Sequence, residues 1–124
     1  MKKPSPLFLR TIEMVKSIPK GKVATYSSIS NSIGAPGCAR HVSYILSSSS
    51  KKHNLPWHRV MNSKGKISLS VEQGYFIQMK KLMSENVVFN KDTVSLTEYL
   101  WKPSNTDLKK ILKSVPQHIP INAR

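Results

Sequence analysis

Four residues, Gly34-Ala35-Pro36-Gly37, constrain this chain more than any others, because they break the backbone between two segments whose apolar residues recur at helical spacing. Before the break, Thr25 stands where it can cap a helix running to about Ile33. After it, Ala39, Val42, Ile45 and Leu46 form one stripe while Arg40, His41 and Ser43 face elsewhere. Two short helices about a glycine-containing turn predict a helix-turn-helix. Many small helical domains contain such a pair, so the pattern alone leaves DNA binding open.

Charge narrows the choice. The 124 residues carry 20 Lys+Arg against 6 Asp+Glu, a formal charge of +14, far more than solubility requires, and an anionic partner is expected. From Met1 to Val71 the only acid is Glu13, set against twelve Lys+Arg, so the basic half is the expected binding half. A phosphate backbone exploits such a field through counterion release, which makes binding fall steeply with salt. The plainer alternative is a solvated basic surface that holds polyanions loosely.

Other classes lose ground on composition. No stretch approaches the roughly 20 apolar residues of a membrane span, and Met1-Lys2-Lys3 leads into Pro4-Ser5-Pro6 rather than a long apolar core. No membrane partner is expected; the location predicted is cytoplasmic or nucleoid-associated, or nuclear in a eukaryote. Cys38 is the single cysteine, which excludes an internal disulfide, and four scattered histidines make no zinc pattern. Neither metal nor cofactor is expected. With 39% hydrophobic residues the chain can build one modest core, and nothing demands more than a monomer.

The remaining elements read as mainly α with small β hairpins. Phe8, Ile12 and Val15, flanked by Met14 and Ile18, predict an amphipathic helix ended by Pro19. Lys20-Gly21-Lys22 turns into the extended pair Val23-Ala24. Ser47 to Lys52 reads as a polar loop, and Leu55-Pro56 as an extended entry into Trp57-His58-Arg59-Val60. Val60 to Leu69 reads as a hairpin about Asn62-Ser63-Lys64-Gly65, a basic wing. Glu72 to Glu85 reads as a packing helix with Tyr75, Phe76, Met79, Leu82 and Met83 as its apolar residues. Val87-Val88-Phe89 and Val94-Ser95-Leu96 predict a second hairpin, and Tyr99-Leu100-Trp101 closes the core. Residues 1–103 make the domain; 104–124 make a basic, flexible or loosely docked tail in which Leu108, Ile111 and Leu112 hint at a helix.

Leu55-Pro56-Trp57-His58-Arg59-Val60 resembles the Pro-Cys-His-Arg-Val signature of the O6-alkylguanine-DNA alkyltransferases, with tryptophan in the place of the reactive cysteine. That replacement marks the alkyltransferase-like proteins. Gly21-Lys22-Val23-Ala24-Thr25-Tyr26, Ala39-Arg40-His41-Val42, Asn62-Ser63-Lys64-Gly65-Lys66-Ile67-Ser68 and Tyr99-Leu100-Trp101-Lys102-Pro103 follow in family-like order, so the resemblance covers about Leu7 to Pro103. It implies a winged helix-turn-helix of the alkyltransferase C-terminal type, which enters the minor groove, bends the duplex and rotates an O6-alkylguanine into a pocket.

The resemblance also assigns residues. Tyr26, Ala39, Arg40 and Ser43 are implied in DNA binding and base flipping, with Arg40 filling the gap left by the base; a phosphate contact is its plainer alternative. Tyr26, Trp57, Val60 and Ser70 are implied in the lesion pocket. Ser70 stands where many alkyltransferase-like proteins carry an arginine that senses the modified oxygen. His58 and Glu85 occupy the rest of a relay that activates a thiolate in the catalytic relatives, and are implied here as a pair supporting the pocket. An indole has a donor N–H but no lone pair fit for displacement at carbon, so no catalytic residue is expected at Trp57.

Three functions follow. The first is a non-enzymatic sensor that binds O6-alkylguanine in double-stranded DNA and flags it to nucleotide excision repair proteins. The second is a winged-helix architectural or regulatory protein without lesion selectivity. The third is an enzyme, which survives only through Cys38.

Overall fold

The computed structural model describes residues 5–113 and 115. Helix α1 (Pro6–Lys16) starts where the Ser5 hydroxyl accepts the Phe8 N–H at 3.1 Å and Pro6 fills a first-turn position that needs no donor. It buries Ile12, Met14 and Val15. Strand β1 (Ala24–Thr25) leads into α2 (Tyr26–Ser32), whose start is fixed by a reciprocal box between Thr25 and Ser28. The turn to α3 (Ala39–His53) runs through Gly34 and Gly37, both at positive φ. The Ser30 hydroxyl pins that turn by donating to the Ala35 carbonyl and accepting the Cys38 N–H.

A 3-10 turn over Trp57–Arg59 and strand β2 (Val60–Met61) follow. Next come α4 (Tyr75–Ser84), the antiparallel pair β3 (Phe89–Asn90) and β4 (Thr93–Val94), α5 (Leu96–Tyr99) and α6 (Asn105–Ile111). β1 pairs with β2 in parallel, Ala24 opposite Val60 and Thr25 opposite Met61. On its other side Val23 bonds Tyr99 and Trp101, so the end of the domain closes on its middle. Two cores result. One joins α1, α2 and α3 through Ile12, Val15, Ile29, Val42 and Ile45; the other gathers Val23, Met61, Ile67, Leu82, Val87 and Val94. Burying each such aliphatic side chain contributes roughly 1.5–3 kcal/mol.

Several expectations are corrected. The serine run is helix, not loop: α3 continues to His53, where Asn54 at φ 52 ends it and the Leu55 N–H reaches the Ser50 carbonyl at 2.9 Å. Lys51, Lys52 and His53 suit the negative end of the helix dipole, and Asn54 is an αL stop. The basic wing is not a regular hairpin, because β2 takes β1 as its partner. Its turn is held instead by the Asn62 side chain, which accepts the Lys64 and Lys66 N–H groups. Gly65 lies so close to the next strand that a Cβ there would collide with the Val94 carbonyl. The second hairpin begins only at Phe89, and Leu96 opens α5 rather than extending β4.

The helix hinted at by Leu108, Ile111 and Leu112 is present in the first part of the tail. Ser104 and Asp107 form a capping box that starts α6, and Leu108, Ile111 and Leu112 pack on the first core. Ser114 and residues 116–124 of that tail lie outside the described residues. No described helix is long and apolar enough to cross a membrane.

Candidate nucleic-acid interface

A cavity of about 1010 Å³ opens between the second half of α3, the 3-10 turn after Pro56, and α4. That is the upper end of the range for ligand pockets. Of the residues singled out in the sequence, Tyr26, Ser43, Trp57, His58 and Val60 line it. Ala39 and Arg40 lie outside the lining, in the first turn of α3, with Arg40 exposed. Ser43, Tyr44 and Ser47 continue that exposed helix face, and Tyr44 is 68% exposed.

Trp57 is half-buried in the wall. Its indole packs toward Gly74, which adopts φ 121; a Cβ at Gly74 would lie 4.0 Å from the ring and 3.7 Å from Leu69. Those are ordinary contact distances, so it is the positive φ, which L side chains rarely adopt, that calls for glycine at the start of α4. The phenol of Tyr26 is pushed above its ordinary value of 10.0 by burial, with a hydrogen bond to the Ser68 side chain opposing, so it stays a neutral hydroxyl.

Behind the wall sits a charged network. His58 Nε2 lies 2.9 Å from Glu85 Oε2. Arg59 grips the same carboxylate in a fork, Nε to Oε1 at 2.9 Å and Nη2 to Oε2 at 2.7 Å, and sends Nη1 to the Ile18 carbonyl at 2.8 Å. The side chains are 11%, 8% and 16% exposed for His58, Glu85 and Arg59. Arg59 chiefly, and His58 secondarily, hold the Glu85 carboxyl down to about 2 against the cost of burial. Burial lowers His58 below its usual value, and Glu85 opposes that shift. A neutral ring facing an ionised carboxylate carries its proton on Nε2 and donates it. The Gln78 amide donates to the His58 and Val60 carbonyls at 3.0 and 2.9 Å, tying the turn and the start of β2 to α4.

Arg59, Gln78 and Gly74 escaped the sequence reading. Arg59 lay inside the signature, and its only signal was a basic residue next to a histidine in a segment bound for the interior. Gln78 lies on α4, where the apolar pattern points elsewhere: Phe76 and Met83 face outward at 62% and 57% exposure, while Gln78 and Leu82 face inward. The two carbonyls it must satisfy lie 18 and 20 residues away in sequence. Ser70, expected in the pocket, is exposed and does not line it. It begins the turn into α4, where its carbonyl accepts the Gln73, Gly74 and Tyr75 N–H groups and its hydroxyl accepts the Gln73 N–H.

Cys38 is the partly buried N-cap of α3 and is not in the cavity lining. Among the described residues no group of three His, Cys, Asp or Glu side chains could hold a metal ion.

Residues 6–87 match the family described as the DNA-binding domain of 6-O-methylguanine DNA methyltransferase. Within that family, the chain is 34% identical over 102 residues to alkyltransferase-like protein 1 of Schizosaccharomyces pombe, covering 77% of this chain and 94% of that protein. The chain is an alkyltransferase-like member of this family. Another relative of this alkyltransferase-like chain is the DNA base-flipping protein of Vibrio parahaemolyticus, 41% identical over 91 residues, with 73% of this chain and 90% of the relative covered. The crystal structure of S. pombe Atl1 in complex with damaged DNA containing O6-carboxymethylguanine superposes with a TM-score of 0.71. It shares 31% identity, covering 82% of this chain and 100% of that one. The mainly helical architecture with small sheets is therefore that of the alkyltransferase DNA-binding domain.

Proposed function

We propose that this alkyltransferase-like protein is a lesion sensor: it binds duplex DNA, rotates an O6-alkylguanine into the cavity beside Trp57, and does not remove the alkyl group. One observation carries the reading. At the signature position an indole, not a thiol, faces a cavity large enough for a nucleobase, while the network behind it is fully formed. The network then serves to hold the Trp57–Val60 backbone in place for the base edge. Arg40 and Tyr26, with Ala39 and Ser43 on the same helix pair, receive the displaced strand and the turning nucleotide.

The relatives support the same reading. One is named a DNA base-flipping protein, and another was crystallised with damaged DNA. Without repair chemistry, the biological output must come from another protein, and a bent duplex with an extrahelical base is the signal we assign to nucleotide excision repair factors. Such a monomer works where the DNA is, in the cytoplasm or nucleoid, or in a nucleus.

The test is a titration of one short duplex carrying either O6-methylguanine or guanine at the same position, near physiological salt, with the DNA analysed afterwards. The lesion duplex is expected to bind at least about tenfold tighter, a gap of about 1.4 kcal/mol, and to be recovered unrepaired. Equal binding of the two duplexes overturns the reading in favour of an architectural protein. An alkylated Cys38 found by intact mass overturns the absence of chemistry.

A further inference from the structure

The exposed face of α3 carries one large side chain that neither the cavity nor the network behind it uses. Tyr44 is 68% exposed, and among the described residues its ring stacks on no other ring and its hydroxyl makes no hydrogen bond. Arg40, Tyr44, Ser47 and Lys51 recur at helical spacing and form one exposed stripe, opposite the buried Val42, Ile45 and Leu46. Ser47 and Lys51 also line the cavity, so the stripe borders it. Arg40 and His41 stand one turn before Tyr44; the exposed residues one turn after it are the short Ser47 and Ser48. No Asp or Glu occurs in α3 to repel a phosphate backbone. A ring held in water on such a face gains by covering itself with a flat apolar surface, and the flat apolar surface of a duplex is the face of a base.

Accepting the lesion reading, in which α3 meets the duplex, we infer that Tyr44 is a second wedge: its ring stacks on a base at a step beside the lesion, and affinity then depends on how easily that step opens. Four residues of helix rise about 6 Å, whereas successive bases lie about 3.4 Å apart. Tyr44 therefore does not share the gap that Arg40 fills and meets a neighbouring step instead. Opening a step is sequence-dependent, since pyrimidine–purine steps unstack readily and A-tracts are stiff. The protein then senses the sequence around a lesion without a hydrogen bond to any flanking base. A phenol that only donates to a phosphate is the competing role, and it carries no such preference.

Two O6-methylguanine duplexes test this, alike except that the base pairs around the lesion supply flexible pyrimidine–purine steps in one and stiff A-tract steps in the other. Each has a guanine counterpart, and all are titrated with the full chain near physiological salt. Wild type is expected to bind the flexible lesion duplex roughly fivefold tighter than the stiff one. Tyr44→Ala should weaken binding of the flexible lesion duplex by about tenfold and bring the ratio toward one, whereas Tyr44→Phe keeps the ring and should keep both affinity and ratio. Both variants retain Arg40 and the lysines, so the response of those cations to groove width cancels when variant and wild type are compared on the same duplexes. Circular dichroism checks that both variants fold, as the exposure of Tyr44 leads one to expect. Equal binding of the two lesion duplexes by wild type, or a ratio that Tyr44→Ala leaves unchanged, overturns the wedge while leaving the sensor intact. If Tyr44→Phe loses as much as Tyr44→Ala, the hydroxyl and not the ring makes the contact, and the wedge is again overturned. If neither lesion duplex binds tighter than its guanine counterpart, the sensor reading itself falls and the wedge with it.

Discussion

The network behind Trp57 and the exposed face of α3 are built on opposite terms. The wall of His58, Arg59, Gln78 and Glu85 makes its hydrogen bonds within the fold, and its charged side chains are almost shut off from water. The α3 rim of Arg40, Ser43 and Tyr44 is exposed. A polar group that is satisfied internally rigidifies, whereas one left at the surface is available to a partner. Damage to the wall should therefore appear first as lost stability, and damage to the rim as lost binding.

The largest expected effect is on the wall. Glu85→Ala leaves the Arg59 guanidinium buried with only the Ile18 carbonyl and deprives His58 of its acceptor, a loss of about 3–5 kcal/mol in urea unfolding. Glu85→Gln keeps an acceptor and should cost less. The same network sets an acid limit. Glu85 titrates at about 2 in the fold against an ordinary value of 4.5, so its stabilisation is complete above 4.5 and is lost as pH falls toward 2. His58, lowered by burial, acts in the same direction: the unfolded chain takes up its proton first, so stability declines as pH drops below the histidine's usual 6.5. Wild type should lose stability across both windows, whereas Glu85→Gln, with no carboxyl at 85 to titrate, should lose it across the upper window alone. A flat profile between pH 5 and 2.5 in the wild type would contradict the network.

The difference between wall and rim is also a difference in what the sequence discloses. The rim lies on α3, specified by local signals: the glycine break, the apolar stripe at Val42, Ile45 and Leu46, and the signature at the expected distance. The wall is assembled from residues distant in the chain. The pairing of His58 with Glu85 could be anticipated through family resemblance, but not the fork of Arg59 or the inward turn of Gln78, since periodicity places apolar residues and is silent on which carbonyls need a donor. The β1–β2 pairing failed to show for the same reason, as two-residue strands that meet in parallel across 36 positions leave no alternation to read. The serine run misled because composition suggested a loop where the αL stop at Asn54 marked the end of a helix. Leu108, Ile111 and Leu112 carried a true helical signal that the surrounding lysines and prolines outweighed.

At the rim the expected effect is smaller in stability and larger in function. Arg40→Ala removes an exposed charge, so unfolding should shift by no more than about 0.5 kcal/mol. Binding should suffer unequally. If Arg40 fills the space of the displaced base, the O6-methylguanine duplex loses about tenfold or more while guanine DNA loses less; a simple phosphate contact would weaken both alike. Paired titrations of the variant therefore separate a residue of the sensor from a residue of a generic basic surface.

The smallest effect is expected at Ser70, which belongs to neither wall nor rim. Its backbone carbonyl gathers three N–H groups at the start of α4, whereas its hydroxyl accepts one bond of 3.2 Å at an exposed position. Ser70→Ala keeps the carbonyl and the helix start, so stability should change by less than about 0.5 kcal/mol. Since the side chain does not line the cavity, the ratio of lesion to guanine affinity should be unchanged as well. A selective fall in lesion affinity would place Ser70 against the bound base, and would mean that the turn before α4 closes over the pocket when DNA arrives. In that case the division between a rigid wall and an open rim would hold for the free protein alone.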